Sequence, residues 1–384
     1  MFVFKLKWGT HMLIGLPKET KDQEYRVGMT PTAVRELTYS QHQVIVQKNA
    51  GEGIGCSDDH YRSVGAEIVA SPEEIFDKAE LIIKIKEPQP PECEMLHEGQ
   101  TLFTYLHLAP DRRQTELLLK SGCTAIAYET VTDAQGLLPL LAPMSEVAGR
   151  LAVQKGAYYL EKVQGGLGVL LSGVPGVSAA NVVVLGGGVV GTNAVCMALG
   201  LGAKVTVLDK SLKRLRELSN IFGARLNTVY STREAVEAYV LKAALVIGAV
   251  LIAGGAAPKL VTKEMISKMQ KGTVVVDVAI DQGGCFETSH PTTHTDPVYT
   301  VDGVIHYCVS NMPGAVPQTS TYALNNATLP FIMALANKGC KPALLSDPHL
   351  LNGLNIHQGK LTNKAVSEAL NIPFVEPFQA LGTV

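Results

Sequence analysis

The chain is poor in charge, and neither sign dominates. Asp, Glu, Lys and Arg make up only 18% of its 384 residues, and the formal net charge is −2. No Lys/Arg-rich block occurs, which argues against a broad electrostatic footprint for nucleic acid but leaves room for a local basic pocket holding a small anion. Cysteine is sparse. The seven (Cys56, Cys93, Cys123, Cys196, Cys285, Cys308 and Cys340) are scattered, odd in number and never spaced C-x-x-C. That pattern speaks against a disulfide framework or a zinc site, and it fits free thiols in a reducing cytoplasm. Tryptophan occurs once, at Trp8, in an opening stretch (residues 1–11) whose apolar part is too brief for a signal peptide. The ordered protein is expected to begin near Met12, with residues 1–11 an appended leader or an upstream start. Charge is missing altogether from Val163 to Ala203, a run long enough to span a membrane. Eleven glycines and Pro175 interrupt it, however. The run therefore predicts two buried strands, joined by turns, and a close-packed helix rather than a membrane segment.

What is present is apolar surface, with 46% hydrophobic residues on a chain long enough for two ordinary cores. The first third alternates strand-like runs (Leu13–Leu16, Gln43–Gln47, Leu81–Lys86, Thr101–Leu108, Thr124–Tyr128) with helices. Thr30-Pro31 and Ser71-Pro72-Glu73-Glu74 read as helix starts, the second with a capping-box glutamate. A second series follows, with strands at Val182–Leu185, Lys204–Asp209, Leu226–Tyr230, Leu245–Leu251 and Thr273–Ile280 and helices between them. A long helix over Ser320–Ala336 is expected to return the chain to the first domain. The pattern predicts an α/β protein of two doubly wound domains with a cleft between them.

Gly186-Gly187-Gly188-Val189-Val190-Gly191 matches G-x-G-x-x-G, a weak signal alone but here set between the strand Val182–Leu185 and a helix. Gly186 permits the tight turn, Gly188 the approach of a pyrophosphate, and Gly191 close helix–strand packing. The helix start offers free N–H groups and a partial positive charge to the phosphates. Asp209 ends the next strand, 18 residues beyond Gly191, where it can bond ribose hydroxyls and repel a 2′-phosphate. NAD is therefore the expected cofactor. Asp281 follows the run Val274–Ile280 and precedes Gln282-Gly283-Gly284. An aspartate at that edge either faces a ligand or caps a turn, and spacing does not choose between them. In the first domain His107 lies near a strand terminus, and Lys84 and Lys86 share one side of a strand by the two-residue period. Arg26 follows Lys18-Glu19-Thr20-Lys21. Each of these is ordinary by itself.

Together with the segments Gly15–Glu19, Lys84–Pro88, Leu102–Leu108, Ala127–Thr130, Pro143–Arg150, Val276–Gly284 and Asn311–Pro313, these residues closely resemble the bacterial alanine dehydrogenases, from about Met12 to the end. The resemblance implies reversible NAD-dependent oxidative deamination of L-alanine to pyruvate and ammonium, by a homohexamer. It implies a discontinuous substrate-binding domain, residues 12–139 plus 318–384, around an NAD-binding domain, residues 140–317. Carried onto matching positions, it implies that Arg26 and Lys86 hold the substrate carboxylate. His107 would bond the carbonyl oxygen and move a proton, and Asp281 would serve as acid/base for the water or ammonia attacking Cα. Ser145, Gly186, Gly188, Gly191, Asp209, Arg214, Ser231, Val250, Asp281, Asn311 and Met312 would surround the cofactor. The residue types suit the chemistry: a cationic pair for a carboxylate, and two proton carriers for an imine that must take up water and shed ammonia.

The sequence departs from the pattern over Ile252–Ala257, where relatives show Pro-Gly-Ala-Lys-Ala-Pro. Ala244 also replaces an acidic residue, which is expected to be a surface change. Two other readings are carried: the NAD-binding soluble subunit of a proton-translocating transhydrogenase, and a catalytically silent NAD-binding protein.

Overall fold

A computed structural model describes residues 11–250 and 257–382. Residues 1–10, 251–256 and 383–384 therefore lie outside the described residues, and with them most of the departing segment Ile252–Ala257. The chain divides into two compact units, one made of residues up to Met144 together with those from Val316 on, the other of Ser145–Ala315.

Its strands are β1 (Leu13–Leu16), β2 (Gln43–Gln47), β3 (Glu67–Val69), β4 (Leu81–Ile83), β5 (Thr101–Thr104) and β6 (Thr124–Ala127) in the first unit. The second unit has β7 (Asn181–Leu185), β8 (Lys204–Asp209), β9 (Leu226–Tyr230), β10 (Leu245–Gly248), β11 (Val274–Asp277), β12 (Val298–Val301) and β13 (Val304–Tyr307). β14 (Leu354–His357) and β15 (Lys360–Leu361) belong again to the first.

In the first unit the sheet order is β15-β14-β6-β5-β4-β1-β2-β3. Six strands run parallel, and β14 and β15 add an antiparallel edge. In the second the order is β12-β13-β11-β10-β7-β8-β9, parallel except for β12. Each sheet thus starts in its middle, winds outward one way and then the other, which is the doubly wound plan. The central strands are buried on both faces, and so they read as continuous apolar runs such as Leu81–Ile83 and Val182–Leu185. Helical faces complete each core: Ile75, Phe76 and Leu118 pack with Ile82 and Leu102 in one unit, and Val236, Val240 and Ile266 with Val183 and Val246 in the other.

The uncharged run holds one strand, β7, rather than the two expected, with loops and the helix Val189–Gly200, and no helix among the described residues is long and apolar enough to cross a membrane. All seven cysteines are free and five of them are buried.

Several expectations need correction. The strand expected over Leu81–Lys86 stops at Ile83, and the one over Thr273–Ile280 stops at Asp277, where its neighbours β10 and β13 also end. At Ser71 the hydroxyl accepts no capping hydrogen bond, and Glu74 takes the N–H of Ala70 instead. Ala244 is not a surface position: it is only 9% exposed, and its N–H donates to the carbonyl of Asn181.

Candidate active site

The glycine turn leaves the carboxyl end of β7 at the place where the strand order of its sheet reverses. Gly186 has φ +96°, and a Cβ there would lie 2.8 Å from the Ala249 carbonyl oxygen and 2.9 Å from the Val250 side chain. A Cβ at Gly191 would collide with the Gly186 carbonyl. Backbone conformation and packing thus require two of the three glycines. Gly188 is different: a Cβ there would meet no protein atom within 4 Å. It begins the helix Val189–Gly200 with no side-chain cap, so the first N–H groups of that helix are offered outward. Packing does not explain this glycine, whereas close approach of a phosphate to the backbone does, and the turn therefore fits a dinucleotide.

Asp209 closes β8. Its Oδ2 accepts from Gly187 N at 2.7 Å and its Oδ1 from Ser211 N at 2.7 Å, which leaves lone pairs on both oxygens for ribose hydroxyls. Arg214 is committed to the chain itself: Nε donates to the Gly187 carbonyl at 2.6 Å, Nη2 to Thr192 Oγ1 at 2.6 Å, and Nη1 pairs with Glu217 at 2.8 Å. It pins the turn from behind. Ser231, just past β9, donates its N–H to the Asp209 carbonyl. Val250 follows β10 and packs on Gly186. Asn311, at φ +62°, and the buried Met312 follow β13, and Ser145 lies in the first turn of the helix Ala142–Tyr159. The structure thus draws Gly186, Gly188, Gly191, Asp209, Arg214, Ser231 and Val250 into one continuous contact set. Ser145, Asn311 and Met312 are placed by their elements alone.

Asp281 is not directly at a strand end. It sits in a short 3-10 turn, Ile280–Gln282, beyond β11, exposed and without a hydrogen bond or ion pair from its carboxylate among the described residues. Capping is therefore not its task. The residue that closes this loop is Asp277, which sequence reasoning passed over. Its Oδ2 gathers Ser289 Oγ at 2.6 Å, Cys285 N at 2.8 Å and Phe286 N at 3.4 Å, and burial raises its pKa above the ordinary carboxylate range.

In the first unit the charged residues lie on segments that leave β1 and β4, again where the strand order reverses. Arg26 is 2% exposed, and Glu24 grips it twice, through Nε at 2.7 Å and Nη2 at 2.5 Å. Its Nη1 points at the Met144 sulfur, 3.2 Å away. Lys86 is mostly buried. Desolvation lowers its pKa, and Lys21 and Arg26 push the same way against the opposing pull of Glu87 and Glu24. Lys84 does not share a solvent-facing side with Lys86: it is fully buried between Glu19 Oε2 at 3.1 Å and Glu92 Oε1 at 2.8 Å. Glu19 Oε1 also takes Ile85 N at 2.6 Å, so this cluster fixes the chain just before Lys86. His107 lies three residues past β5 with φ +48°, exposed, its ring stacked on Tyr105 with centroids 5.8 Å apart. Tyr105 in turn lies within electrostatic reach of Arg26. Arg26, Lys86, Tyr105 and His107 thus form one cationic and aromatic neighbourhood. Glu24 and Glu129 complete it; Glu24 gave no sequence signal at all, and Glu129 none beyond the segment Ala127–Thr130 that contains it.

These features define a two-unit α/β protein with a glycine turn that fits a dinucleotide in one unit and a cluster of buried cations and carboxylates in the other. Comparison with known proteins narrows the class. The alanine dehydrogenase/PNT N-terminal domain matches residues 15–148, and the C-terminal domain of the same name matches residues 152–364. The chain belongs to the alanine dehydrogenase/PNT family. It is 59% identical over 371 residues to an alanine dehydrogenase of Halomonas elongata, covering 97% of this chain and all of that one. Against the alanine dehydrogenase of Mycobacterium tuberculosis it is 51% identical over 370 residues, covering 96% of this chain and all of that one. A solved L-alanine dehydrogenase superposes with a TM-score of 0.91 at 51% identity, over 94% of this chain and 99% of the other. A transhydrogenase from Sinorhizobium meliloti has a TM-score of 0.79 over 92% of this chain and 99% of its own, but at 23% identity it shows the fold alone.

Proposed function

We infer that the chain catalyses the reversible NAD-dependent oxidative deamination of L-alanine: L-alanine, NAD⁺ and water give pyruvate, ammonium, NADH and a proton. One observation carries this reading. Family membership spans both units, and one of them holds Arg26 within electrostatic reach of Lys86 and of Tyr105, on whose ring the exposed His107 stacks.

Arg26 and Lys86 hold the carboxylate. A thioether is a weak acceptor, so a carboxylate oxygen replacing the Met144 sulfur at Nη1 gains a charge-assisted bond. Glu24, on Nε and Nη2, keeps that nitrogen aimed. His107 bonds the carbonyl oxygen that forms at Cα and takes or returns the proton there, a task suited to imidazole near neutral pH. Asp281, unpartnered and exposed, accepts a proton from the water that adds at the same carbon. Bound NAD supplies the hydride acceptor. Gly186, Gly188 and Gly191 with the following helix take its pyrophosphate and Asp209 its adenosine ribose, while Arg214 supports the turn. Ser145, Ser231, Val250, Asn311 and Met312 complete its surroundings.

In this reading residues 12–139 and 318–384 are the substrate-binding part and 140–317 the NAD-binding part. We further propose a cytoplasmic homohexamer, with support from the free thiols for the first point and from the resemblance for the second. Light scattering showing six times the chain mass checks the assembly. The decisive experiment is NADH formation that depends on alanine, checked in reverse with pyruvate and ammonium. A chain that binds NAD but shows neither activity overturns the reading. Near-normal turnover in Asp281→Asn or His107→Ala overturns the role given to that residue.

A further inference from the structure

We propose that Glu129 is the positioning residue that holds His107 in its working orientation, acting through the backbone; the proposal rests on the proton-transfer role given to His107. The argument begins with strand register. β5 and β6 are parallel neighbours paired from Thr101↔Thr124 to Thr104↔Ala127. Past the last pair the two chains part. One continues as Tyr105-Leu106-His107, and the other enters the short turn Tyr128–Thr130, which carries Glu129. The amides of Leu106 and His107 have lost their strand partner at this point, and a single carboxylate takes both. His107 N donates to Glu129 Oε1 at 2.7 Å, and Leu106 N lies 3.1 Å from Oε1 and 3.2 Å from Oε2. Two successive amides converging on one anion form the local arrangement in which a left-handed residue is found.

The left-handed residue is His107 itself, at φ +48°. An L side chain is disfavoured there and stays only where its surroundings over-determine it. Glu129 supplies that determination. The His107 ring makes no hydrogen bond among the described residues, so no polar partner of the imidazole sets its direction. Among the described residues two constraints act on it: the backbone fixed by Glu129 and the face of Tyr105, whose ring lies 13° from parallel with it. Tyr105 is anchored by its hydroxyl, which donates to the Leu140 carbonyl at 2.5 Å, and by an edge contact with Tyr128, the residue before Glu129. The turn that carries Glu129 therefore supports the histidine twice, and both imidazole nitrogens stay available to the substrate.

The test is a double-mutant cycle in the intact enzyme, with kcat, KM and NAD affinity measured for Glu129→Ala, Glu129→Gln, His107→Ala and the pair Glu129→Ala/His107→Ala. Glu129→Ala should lower kcat roughly 10- to 100-fold, the scale of a small misplacement of a reacting group, with NAD affinity unchanged. Glu129→Gln keeps an amide oxygen that accepts the His107 N–H, so it should recover most of that loss. In the His107→Ala background, Glu129→Ala should cost nothing further. Wild-type kcat in Glu129→Ala overturns the proposal, and so does an equal loss with and without His107. Should Glu129→Ala fail to fold, the same comparison is made with Glu129→Gln and Glu129→Asp, where full activity of the shortened aspartate overturns it. If His107→Ala alone retains turnover, the role of His107 falls instead. The anchor is then judged by the crystal structure of Glu129→Ala, in which an unchanged left-handed His107 overturns it.

Discussion

Alanine substitutions at Gly188 and Gly191 should separate cofactor binding from stability. Gly188 has φ −65° and ψ −161°, an extended conformation open to any residue, and a Cβ there meets no protein atom within 4 Å. Gly188→Ala should therefore fold as the parent does, with stability within about 1 kcal/mol and a slight gain expected from a stiffer unfolded chain. Its methyl group, however, stands where a pyrophosphate must approach the turn. Overpacking by one carbon costs about 1–3 kcal/mol, which at 1.4 kcal/mol per tenfold weakens NAD roughly 5- to 150-fold. Gly191→Ala should do the reverse. Its Cβ runs into the Gly186 carbonyl, a backbone atom that cannot turn aside, so the same energy is lost from the fold. A domain of this size should unfold about 2–12 °C lower. Calorimetric titration with NAD, together with thermal unfolding of the apoprotein, reads both effects. Parental NAD affinity in a folded Gly188→Ala, or a lowered melting temperature with that substitution, refutes the argument that this glycine serves a ligand and not packing.

Lys84→Met removes a buried cation and strands Glu19 and Glu92 without it, so it should destabilise by about 3–5 kcal/mol in denaturant unfolding. A loss below about 1 kcal/mol would mean the cluster carries no net weight. Lys86 holds its proton less tightly than an ordinary lysine, so as pH rises its ammonium is lost before the usual lysine range. KM for alanine should therefore climb at a lower pH than in Lys86→Arg, which stays charged; coincident profiles would count against the role of Lys86. Asp209→Asn keeps an oxygen for Gly187 N but loses the charge that repels a 2′-phosphate. The ratio of NADP to NAD usage should rise at least tenfold, as measured by kcat/KM for each.

What the sequence made legible was local. The glycine turn, its strand and its helix lie within one βαβ unit, where spacing and geometry are nearly the same information. Strand ends were misjudged for a complementary reason: apolar runs such as Val274–Ile280 outlast the pairing, and pairing depends on a neighbour elsewhere in the chain. Lys84 could not be read as buried, because one of its two partners, Glu19, lies 65 residues away. The tie of Glu24 to Arg26 is only two residues long, but its importance comes from burial, which the pair does not announce.

The two sheets share one order for their first six parallel strands, so their functional segments correspond. Arg26 and Glu19 follow β1 as the glycine turn follows β7; Lys86 follows β4 as Val250 follows β10; and His107 follows β5 as Asp281 lies beyond β11. What differs is the first connection. After β7 the chain reaches its helix through Gly186–Gly188 alone, leaving backbone amides to meet phosphates. After β1 it runs through residues 17–30 before the helix Pro31–Tyr39 begins, which gives room for Glu19, Lys21, Glu24 and Arg26. A short glycine connection recognises an anion with the main chain and suits an extended diphosphate. A long charged one recognises it with side chains braced by buried carboxylates, which suits the carboxylate of a small amino acid. In the proposed reading, the division of labour between the units thus follows from the length and composition of one loop on a shared plan.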